Sequence, residues 1–530
     1  MSPLIICETP DTPNIVESGP PKGDYFVSRS LFQKKPLHML LAEMQGESRL
    51  RRILGPVQLT SLGVGAIIGT GIFVLTGVAA HNKTGPALML SFVVSGLACI
   101  FAALCYAEFA SMVPVAGSAY TYAYATLGEF MAWIVGWDLV LEYAVASASV
   151  AHGWSHYFQD FIGIFGYKLP FAFTNAPIDY DASKGMIVPT GTTFDLPALG
   201  IAILITIILV KGIRESATFN SAMVVVKVAI VFFVIIVGAF YVDPKNWTPF
   251  APYGFGGLTF FGKTVWGQSG VGGEPLGMMA GAATIFFAYI GFDSVSTHAE
   301  EAKNPKRDVP IGIITSLVLC TFLYIAVAAV LTGMVPYDKI AIDAPVSNAF
   351  AQAGLPWAQL LISLGALTGI TSVLLVMMLS QPRVLLAMAR DGLIPESFFG
   401  AVHDKFRTPW KSTILTGVFV SVLASFLPLS ILADLVNIGT LLAFVIVCSA
   451  VLIMRKTNPD AERPYRAPLG SFVPIAGIAI CLLLMFSLPT ENWYRLFGWL
   501  ALGMVIYFGY GRKHSVLGKM DARQLDPKRR

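Results

Sequence analysis

Two long apolar segments are each interrupted near the middle by glycine and other small residues. The first reads GVGAIIGTGIF at residues 63–73, and the second reads FFAYIGFDS at residues 286–294. Glycine at mid-span allows a helix to unwind, which frees backbone amides and carbonyls that only a water-lined or solute-lined cavity can satisfy. The two interruptions therefore indicate a candidate binding site for a small polar solute. For the first segment alone, close helix packing through Gly65 and Gly69 explains the motif equally well.

Lys227, Asp138 and Glu142 lie inside apolar segments, where a charge is costly unless it is paired or hydrated. Lys227 lies about midway through FNSAMVVVKVAIVFFVIIVG. It either has a functional role, extends its amine to the membrane interface, or forms a fixed structural ion pair. Asp138 and Glu142 are four residues apart and therefore lie on one helical face. Glu142 either neutralises Lys227, meets a basic substrate side chain, or is a carboxylate hydrogen-bonded within the helix bundle.

The composition is that of a membrane protein. Of the 530 residues, 55% are hydrophobic and 13% are charged, with a mean hydropathy of +0.68, whereas soluble domains carry about 25% charged residues. Twelve apolar stretches are long enough to cross the hydrocarbon core, which takes about 20 helical residues. Helices are predicted because lipid offers no partner to backbone amides, and the runs are too long for barrel strands. The predicted spans are 57–80, 86–113, 128–160, 194–211, 216–242, 276–299, 310–334, 356–388, 412–429, 431–454, 472–489 and 492–511.

The positions of the basic residues predict the orientation of these spans. Basic loops stay cytoplasmic, and the 36 Lys and Arg residues are distributed so that both termini are predicted to be cytoplasmic. The net charge of +4 reflects this bias, and we expect no nucleic-acid partner. Residues 1–55 contain no apolar signal segment, and residues 37–54 could form an amphipathic helix on the membrane surface. The six cysteines have neither metal-ligand nor disulfide spacing, so we expect them to pack as small apolar residues.

The second interruption comes five helices after the first, in the corresponding place of a second five-helix unit. Corresponding breaks are typical of inverted repeats that bind a substrate at the bilayer midplane. Because each unit has an odd number of spans, the second is inverted relative to the first. The predicted division is an N-terminal tail (1–55), a first repeat (56–242), an external loop (243–275), a second repeat (276–454), two additional transmembrane helices (455–511) and a basic cytoplasmic tail (512–530).

Five motifs carry a resemblance that extends from about residue 53 to residue 470. They are GAIIGTGIF (65–73), PVAGSAYTYAYATLGE (114–129), FFAYIGFDSVSTHAEEAKNPKRDVPIGI (286–313), RVLLAMARDGLIP (383–395) and RPYRAPLG (463–470). Together they resemble the cationic amino acid transporter family of the amino acid–polyamine–organocation superfamily. The resemblance implies an all-α integral membrane protein with a leucine-transporter-type 5+5 inverted repeat, two extra C-terminal helices and broken first and sixth helices. It also implies transport of amino acids, coupled to protons or by exchange.

An amino acid zwitterion needs amide donors for its carboxylate and carbonyl acceptors for its ammonium group, and two broken helices present both. The half-helix after the first break offers free amides and the positive end of a helix dipole to the carboxylate. The resemblance places the same roles at the matching positions. The carboxylate is expected to bind at Thr70 and Gly71, with Gly69 allowing close approach of the backbone. The expected acceptors for the ammonium group are the carbonyls of Ala66, Ile67 and Ile290.

Four side chains near the second break each have two expected roles. Phe287, the best candidate for the site, is expected with Tyr289 and Phe292 to form apolar walls or a thin gate, unless these rings only pack or face lipid. Asp293 would organise the unwound turn or else cap the half-helix that follows it.

The resemblance also implies a role for Lys227. In proton-coupled relatives a lysine at the matching place has its ammonium where sodium-coupled relatives hold sodium, between the first and eighth helices. Protonation would then substitute for sodium binding, and we expect this amine to take up and release a proton as its surroundings open and close. Its expected neighbours are carbonyls from Gly63 to Ala66 and the hydroxyls of Thr368, Thr371 and Ser372.

The segment AEEAKNPKRDVP (299–310) joins the sixth and seventh spans. We expect Glu300, Lys306 and Arg307 to form ion pairs that hold a cytoplasmic gate, or else to belong to a solvated loop. His298 occupies a position where the family usually has a small residue, so it is either a structural histidine or a source of pH dependence.

The sequence thus predicts a secondary transporter, not an enzyme, that imports L-amino acids by proton symport across a bacterial inner membrane. An exchanger and a non-transporting sensor or partner-dependent subunit remain alternatives, and the substrate is either cationic or small and neutral. No G-x-x-x-x-G-K-[ST] motif occurs, so an ATP-driven pump is disfavoured. We expect no metal or cofactor, the lipid bilayer as surroundings, and a monomer with or without a small associated subunit.

Overall fold

The computed structural model describes residues 31–36, 39, 54–113, 115, 118–181, 186–211, 216–260, 263–271, 273–406 and 408–520. Apart from Met39 and Leu54, the predicted amphipathic helix at 37–54 lies outside the described residues, as does most of the N-terminal tail. The described chain is almost entirely helical, as predicted.

The α-helices include both long apolar helices and short connecting ones. In chain order they are α1 (Pro56–Ile67), α2 (Thr76–Ala79), α3 (Leu88–Met112), α4 (Ser118–Thr126), α5 (Glu129–Ile164), α6 (Leu196–Lys211), α7 (Ser216–Ala239), α8 (Met278–Ile285), α9 (Ser294–Thr297), α10 (Pro305–Met334), α11 (Pro345–Gln352), α12 (Pro356–Arg390), α13 (Glu396–Phe399), α14 (Trp410–Phe426), α15 (Leu429–Thr457), α16 (Phe472–Met485), α17 (Thr490–Ile506) and α18 (Arg512–His514). Short π-helices extend over Gly71–Leu75, Ala80–Thr84 and Tyr507–Gly511, and 3₁₀ turns over Gly85–Ala87, Phe171–Phe173, Pro244–Trp247, Phe286–Tyr289, Ala299–Glu301, Tyr337–Lys339 and Leu517–Lys519.

Seven helical stretches of the described chain are long and apolar enough to cross a membrane. An eighth is obtained if α16 and the helical segment that begins with α17, which meet at 111°, are taken as one bent span. Three further apolar helices, α1, α6 and α14, are shorter, with 12, 16 and 17 residues. The chain is therefore built as a multi-pass membrane protein, and the count of twelve spans stays a prediction.

The loops contain small strands that hydropathy does not predict. They form three antiparallel pairs, β1 (Ile178–Asp181) with β2 (Met186–Pro189), β3 (Leu258–Phe260) with β4 (Lys263–Trp266), and β5 (Gln268–Ser269) with β6 (Pro275–Leu276). In each pair the backbone amides and carbonyls of one short strand bond those of the next strand in the chain, so no larger sheet is needed. The loops from which they project connect α5 to α6 and α7 to α8.

Long helices pack around the two interrupted segments. Helix α5 packs along α12 and α15, and α10 packs along α1 and α3. Large apolar side chains cover the outside of the bundle, such as Val225 at 69% exposure and Phe322 at 70%. Exposed apolar side chains on long helices are typical of surfaces that contact lipid.

A buried ion pair joins three parts of the fold. The Glu108 carboxylate at the end of α3 accepts hydrogen bonds from Arg455 in α15, through Nε at 2.9 Å and through Nη2, and from the amide of Ala467 at 2.9 Å. The two side chains are only 2% and 9% exposed. The charges are thus compensated by several hydrogen bonds rather than by solvent.

We predict that Arg455→Ala lowers the free energy of unfolding by about 2–3 kcal/mol, because the buried Glu108 carboxylate loses its two hydrogen bonds from this guanidinium and keeps Arg463, whose Nε lies 3.6 Å away, as its charged neighbour. Thermal unfolding of the purified protein in detergent measures the loss. The matched control is Lys306→Ala, since Lys306 pairs with Glu462 at 2.9 Å but both side chains are more than half exposed. That variant should unfold within about 0.5 kcal/mol of the wild type. Equal losses in the two variants would contradict the importance of the buried pair.

Candidate functional site

The first interrupted segment unwinds where the glycine motif lies. Helix α1 ends at Ile67, and Ile68 has extended backbone angles of φ −74° and ψ 103°. The chain resumes as the π-helix that begins at Gly71, and the amides of Ile72 and Phe73 both donate to the carbonyl of Gly69 at 3.2 Å. The first turn of a resumed helix leaves amides without intrahelical acceptors. These amides are available to an anionic group.

The second interrupted segment unwinds in the same way. Helix α8 ends at Ile285, a 3₁₀ turn follows, and Ile290 is extended with φ −59° and ψ 134°. Gly291 has φ +118°, a conformation that side-chain-bearing residues rarely adopt, and α9 begins at Ser294. Glycine is therefore required at this break for its backbone angles.

The two breaks lie against each other. A Cβ atom added to Gly71 would lie 2.3 Å from the Cα atom of Ala288, so the two backbones touch at this point. The hydroxyl of Tyr324 in α10 donates to the carbonyl of Ile67 at 2.7 Å and to the carbonyl of Ala288 at 2.9 Å. One side chain thus satisfies a carbonyl from each interrupted segment. Nothing in the local sequence distinguishes this tyrosine from other buried tyrosines.

A small cavity lies between the two breaks and helices α5 and α12. Its volume is about 10 Å³, which is room for about one water molecule, so the surrounding helices close tightly around it in this structure. The hydroxyl of Thr70 is buried at its wall and has no hydrogen-bond partner in the described part of the chain. The lining residues are Ala66, Ile67, Thr70, Gly71, Ala146, Val150, Phe287, Ile290, Val373 and Met377.

Six of the eight residues that the sequence places at the substrate site line this cavity, namely Ala66, Ile67, Thr70, Gly71, Phe287 and Ile290. Gly69 does not line it, because a Cβ atom there would lie 2.6 Å from Val373, and its close approach is to α12. Four lining residues from α5 and α12 could not be identified from the sequence. They are small or apolar, and such residues are common at every packed position of a membrane helix. They are Ala146, Val150, Val373 and Met377.

Asp293 lies behind the cavity wall. Its Oδ2 atom accepts a hydrogen bond from the hydroxyl of Tyr143 at 2.5 Å, and its side chain makes no capping bond to α9. This carboxylate therefore ties the second break to α5. Tyr289 and Phe292 also pack outside the cavity, with the Tyr289 hydroxyl donating to the carbonyl of Phe92 at 2.9 Å and Phe292 contacting Tyr106.

Lys227 reaches the first break from α7. Its Nζ atom donates to the carbonyl of Gly65 at 2.6 Å, to the carbonyl of Ile68 at 2.9 Å and to the hydroxyl of Ser372 at 3.4 Å. The side chain is fully buried. Gly369 makes room for it, because a Cβ atom there would lie 3.1 Å from the Cβ atom of Lys227. The amine therefore connects the first break to α12.

Several expected neighbours of Lys227 face elsewhere. The hydroxyls of Thr368 and Thr371 donate to carbonyls within their own helix, at 2.9 Å and 2.7 Å, and not to oxygens or nitrogens around the amine. A Cβ atom at Gly63 would meet Ser316 of α10 at 2.4 Å, so this glycine is a packing contact. Thr368, Thr371 and Gly63 therefore do not contact the amine directly, and the prediction is wrong for them. Of the expected hydroxyls, only that of Ser372 bonds the amine.

Pairing of Glu142 with Lys227 is also wrong. Within the described residues no carboxylate lies within 4.0 Å of the Lys227 amine, whose hydrogen bonds all go to neutral oxygens. Glu142 instead lies in the electrostatic field of Asp293 and Asp138. Sequence spacing cannot show this, because it does not define which face of α7 turns toward α5.

The loop after α9 has a different ion pair from the expected one. Glu301 pairs with Arg383 of α12 at 2.8 Å, and the two side chains are 18% and 13% exposed. The side chain of Glu300 lies outside the described residues, and Lys306 forms only the exposed pair with Glu462. Nearby, His298 is buried with its Nδ1 atom 2.8 Å from the carbonyl of Ser294, a local structural contact.

Burial by itself would raise the pKa of Glu301, but the Arg383 guanidinium outweighs burial and holds the pKa of this carboxyl below its usual value. The charged pair therefore persists at neutral pH.

Comparison with known proteins adds the family context. The profile of the amino acid permease family matches residues 54–507. A branched-chain amino acid permease of Bacillus subtilis (strain 168) is 48% identical over 491 residues, which cover 92% of this chain and 99% of the relative. A methylthioribose transporter of the same strain is 46% identical over 490 residues, or 92% and 100% of the two chains. The vacuolar cationic amino acid transporter 4 of Arabidopsis thaliana is 38% identical over 438 residues, or 81% and 68%.

We predict that Gly71→Ala lowers the free energy of unfolding by about 1–3 kcal/mol, because its Cβ atom would collide with the backbone of Ala288. Thermal unfolding in detergent measures this loss. Gly163→Ala in α5 is the matched control, since nothing lies within 4 Å of a Cβ atom there. The control should be unchanged or slightly stabilised. A Gly71→Ala variant as stable as the control would contradict the contact between the two breaks.

We predict that Glu301→Gln destabilises the protein by about 2 kcal/mol at pH 7 and that the difference from the wild type disappears in acid. A carboxyl whose folded pKa lies below its unfolded value stabilises the fold above the unfolded pKa and loses that contribution as the pH falls through the folded pKa. Unfolding temperatures of both proteins between pH 7 and pH 3 measure the difference. A difference that stays constant over this range would contradict the charged pair.

Proposed function

This chain belongs to the amino acid permease family, as its motifs predict, and from that membership we propose that it is a secondary transporter that imports L-amino acids together with protons. Alternating access between an outward-open and an inward-open state is part of the proposal. So are the twelve spans, the 5+5 inverted repeat, the bacterial inner membrane and the cytoplasmic location of both termini.

The observation that carries the proposal is the unpartnered hydroxyl of Thr70 in a cavity bounded by two unwound backbones. A buried hydroxyl without a partner is costly, so a ligand that accepts or donates there is favoured. The α-carboxylate would bind this hydroxyl and the amides near Gly71, at the positive end of the resumed helix. The α-ammonium would face the carbonyls of Ala66 and Ile290, with Ile67 already bonded to Tyr324.

Lys227 is proposed as the group that couples transport to protons. A charged amine has three N–H donors, which match the three oxygens that surround it on the first break and α12. A neutral amine keeps only two donors, so at least one of these contacts is lost when the proton leaves. Loss of the proton would therefore loosen the first break from α12 and favour release of substrate.

Glu142 is proposed as a second group on the proton route. Asp138, Glu142, Ala146 and Val150 follow at four-residue spacing on one face of α5, so a stripe of two buried carboxyls continues into the cavity wall. In the ranges that the structure describes, no basic side chain lies within ion-pair distance of either carboxyl. With Asp293 acting on Glu142 as well, these carboxyls need a proton among them to be buried together.

The ion pair between Glu301 and Arg383 is proposed to hold the cytoplasmic gate. It joins the loop that follows α9 to α12, and the amide of Leu54 donates to the Glu301 carbonyl at 3.0 Å. The segment before α1 and the segment after α9 thus meet at one place. Opening toward the cytoplasm would require these contacts to separate.

Other transport modes lead to different results. Obligate exchange would show counterflow in liposomes without a pH gradient and no net accumulation. A sensor would bind amino acids without moving them. One relative is named a methylthioribose transporter. If methylthioribose binds and no amino acid competes with it, the substrate is a neutral thiosugar and not an amino acid.

The decisive experiment measures uptake of radiolabelled leucine, alanine and arginine by the purified full-length chain in proteoliposomes. We expect at least one amino acid to accumulate above its external concentration when an inward proton gradient is imposed, and to equilibrate only slowly without it. Accumulation driven by sodium in the absence of a proton gradient would overturn proton symport.

We predict that Lys227→Ala abolishes proton-driven accumulation, because no other amine bridges the first break and α12 in the described structure. Lys211→Ala is the matched control, since Lys211 ends α6 and is exposed. The control should accumulate substrate within about twofold of the wild type, as expected for a surface position. Unchanged, pH-dependent uptake in Lys227→Ala would remove this lysine from the mechanism.

A further inference from the structure

We infer that His156 and Asp343 form a latch that fastens the loop before α11 to α5 when the surrounding solution is acidic, and that this latch closes the predicted external end of the transport path. Neither residue takes part in the proposed proton route, so the latch is an addition to the proposed function. Two histidines at one end of α5 and the carboxylates around them are the basis for it.

His152 and His156 lie one turn apart on α5, with ring centroids 4.8 Å apart. The Nδ1 atom of His152 lies 3.2 Å from Oδ2 of Asp195 and 3.4 Å from the carbonyl oxygen of Ala424 in α14. Asp195 also accepts a hydrogen bond from the amide of Ala198, at the start of α6, at 3.0 Å. Because His152 and Asp195 are both at most 2% exposed, this first histidine is a fixed contact between helices.

His156 is in a different situation. Its Nδ1 atom is buried and has no hydrogen-bond partner in the part of the chain that the structure describes. Oδ1 of Asp343 lies 3.7 Å from this nitrogen, and the Asp343 side chain is 72% exposed, so the pair is next to solvent. A proton on His156 would turn this loose contact into a charge-assisted hydrogen bond, which is shorter and stronger than a neutral one.

Four titratable groups from different elements act on the His156 ring. They are Asp343 from the loop, Asp195 from the start of α6, Asp179 from β1 and His152 from α5 itself. Among the described residues, Asp343 is the one carboxylate of these within ion-pair distance of His156. Asp195 is fully buried and already bonded, whereas Asp343 lies on an exposed loop. Protonation of His156 would therefore move Asp343, and with it the loop.

The loop that carries Asp343 packs against the helix that resumes after the first break and extends to Thr84. A Cβ atom added to Gly77 would lie 2.4 Å from the Cβ atom of Pro345, where α11 begins. The Nδ1 atom of His81 lies 3.0 Å from the carbonyl oxygen of Ile340. A change in the position of the loop would therefore be transmitted to the resumed helix.

Helix α5 contacts the same two elements. The Tyr157 hydroxyl donates to the carbonyl of Phe73 in the resumed helix at 2.8 Å, and the Ser347 hydroxyl of α11 donates to the Asp160 carboxylate of α5 at 2.6 Å. Opening of the cavity toward this end of the bundle would separate the loop and the resumed helix from α5. An ion pair added in acid would oppose this separation and hold the end closed.

The experiment measures the distance between two spin labels in the purified full-length chain in liposomes, without substrate and without a proton gradient. The labels replace Phe165 at the end of α5 and Ile342 in the loop, which are both exposed, in a Cys7→Ser background whose five other cysteines are buried. At about pH 5.5 a free histidine is mostly protonated and a free aspartate is mostly charged. We expect the population with the short distance to rise about 2- to 5-fold between about pH 7.5 and about pH 5.5, as for a partly exposed ion pair.

Asp343→Asn and His156→Gln should each abolish this response to pH, and the double variant should behave like either single variant. Asp338→Asn is the matched control, because Asp338 is an exposed carboxylate five residues before Asp343 in the same loop, and it should respond like the wild type. A response that is absent from the wild type, or that survives in Asp343→Asn, would overturn the latch. Since no substrate is present, failure of amino acid transport would leave this result unchanged and would overturn only the proposed function.

A second pair of labels, at Phe165 and at the half-buried Asn82 of the resumed helix, tests the closure of the path. The distance between them should shorten over the same pH range and should lose this response in Asp343→Asn. A loop that responds to pH while the distance to Asn82 stays constant would overturn closure of the external end.

Discussion

Backbone amides and carbonyls cannot stay unpaired in an apolar medium, and the arrangement around the cavity follows from this requirement. The first break frees the carbonyls of Gly65, Ile67 and Ile68, and each accepts a hydrogen bond from a side chain of another helix. Lys227 and Tyr324 are the donors. The groups that face the cavity, with the Thr70 hydroxyl, are left for a solute. The break is therefore stable only as part of a bundle that supplies donors from outside its own segment.

The same hydrogen bonds make the amine of Lys227 a structural tie as well as an ionisable group. Three oxygens replace the water that a free ammonium would bind, so the charge is satisfied without a carboxylate. Gly369 leaves room for the lysine stem, because a Cβ atom there would lie only 3.1 Å from the Cβ atom of Lys227. A change in protonation here alters contacts to two helices at once, whereas a change at an exposed lysine alters only solvation.

Much of the fold and part of the site could be predicted from local sequence. Apolar length predicts helices α3, α5, α10 and α12, and mid-span glycine predicts both breaks, since unwinding depends on the residues at the break itself. The roles of Thr368 and Thr371 could not be predicted, because a threonine hydroxyl in a helix can bond a carbonyl of its own helix, and only packing decides which hydroxyl of α12 reaches the amine. For the same reason the pairing of Glu142 with Lys227, one of the alternatives, was wrong, and the ion pair in the loop after α9 involves Glu301.

By itself the sequence determined a multi-pass helical protein of the amino acid permease family, with two interrupted segments and an isolated lysine. Hydropathy, glycine content and charge are properties of each segment by itself, so they can be read from the sequence without knowing how the helices pack. Only the tertiary structure decided that Ala146, Val150, Val373 and Met377 complete the cavity, and that no charged side chain enters it. These residues are far apart in the chain, and the angles and depths at which α5 and α12 pack determine which of their apolar side chains face the breaks.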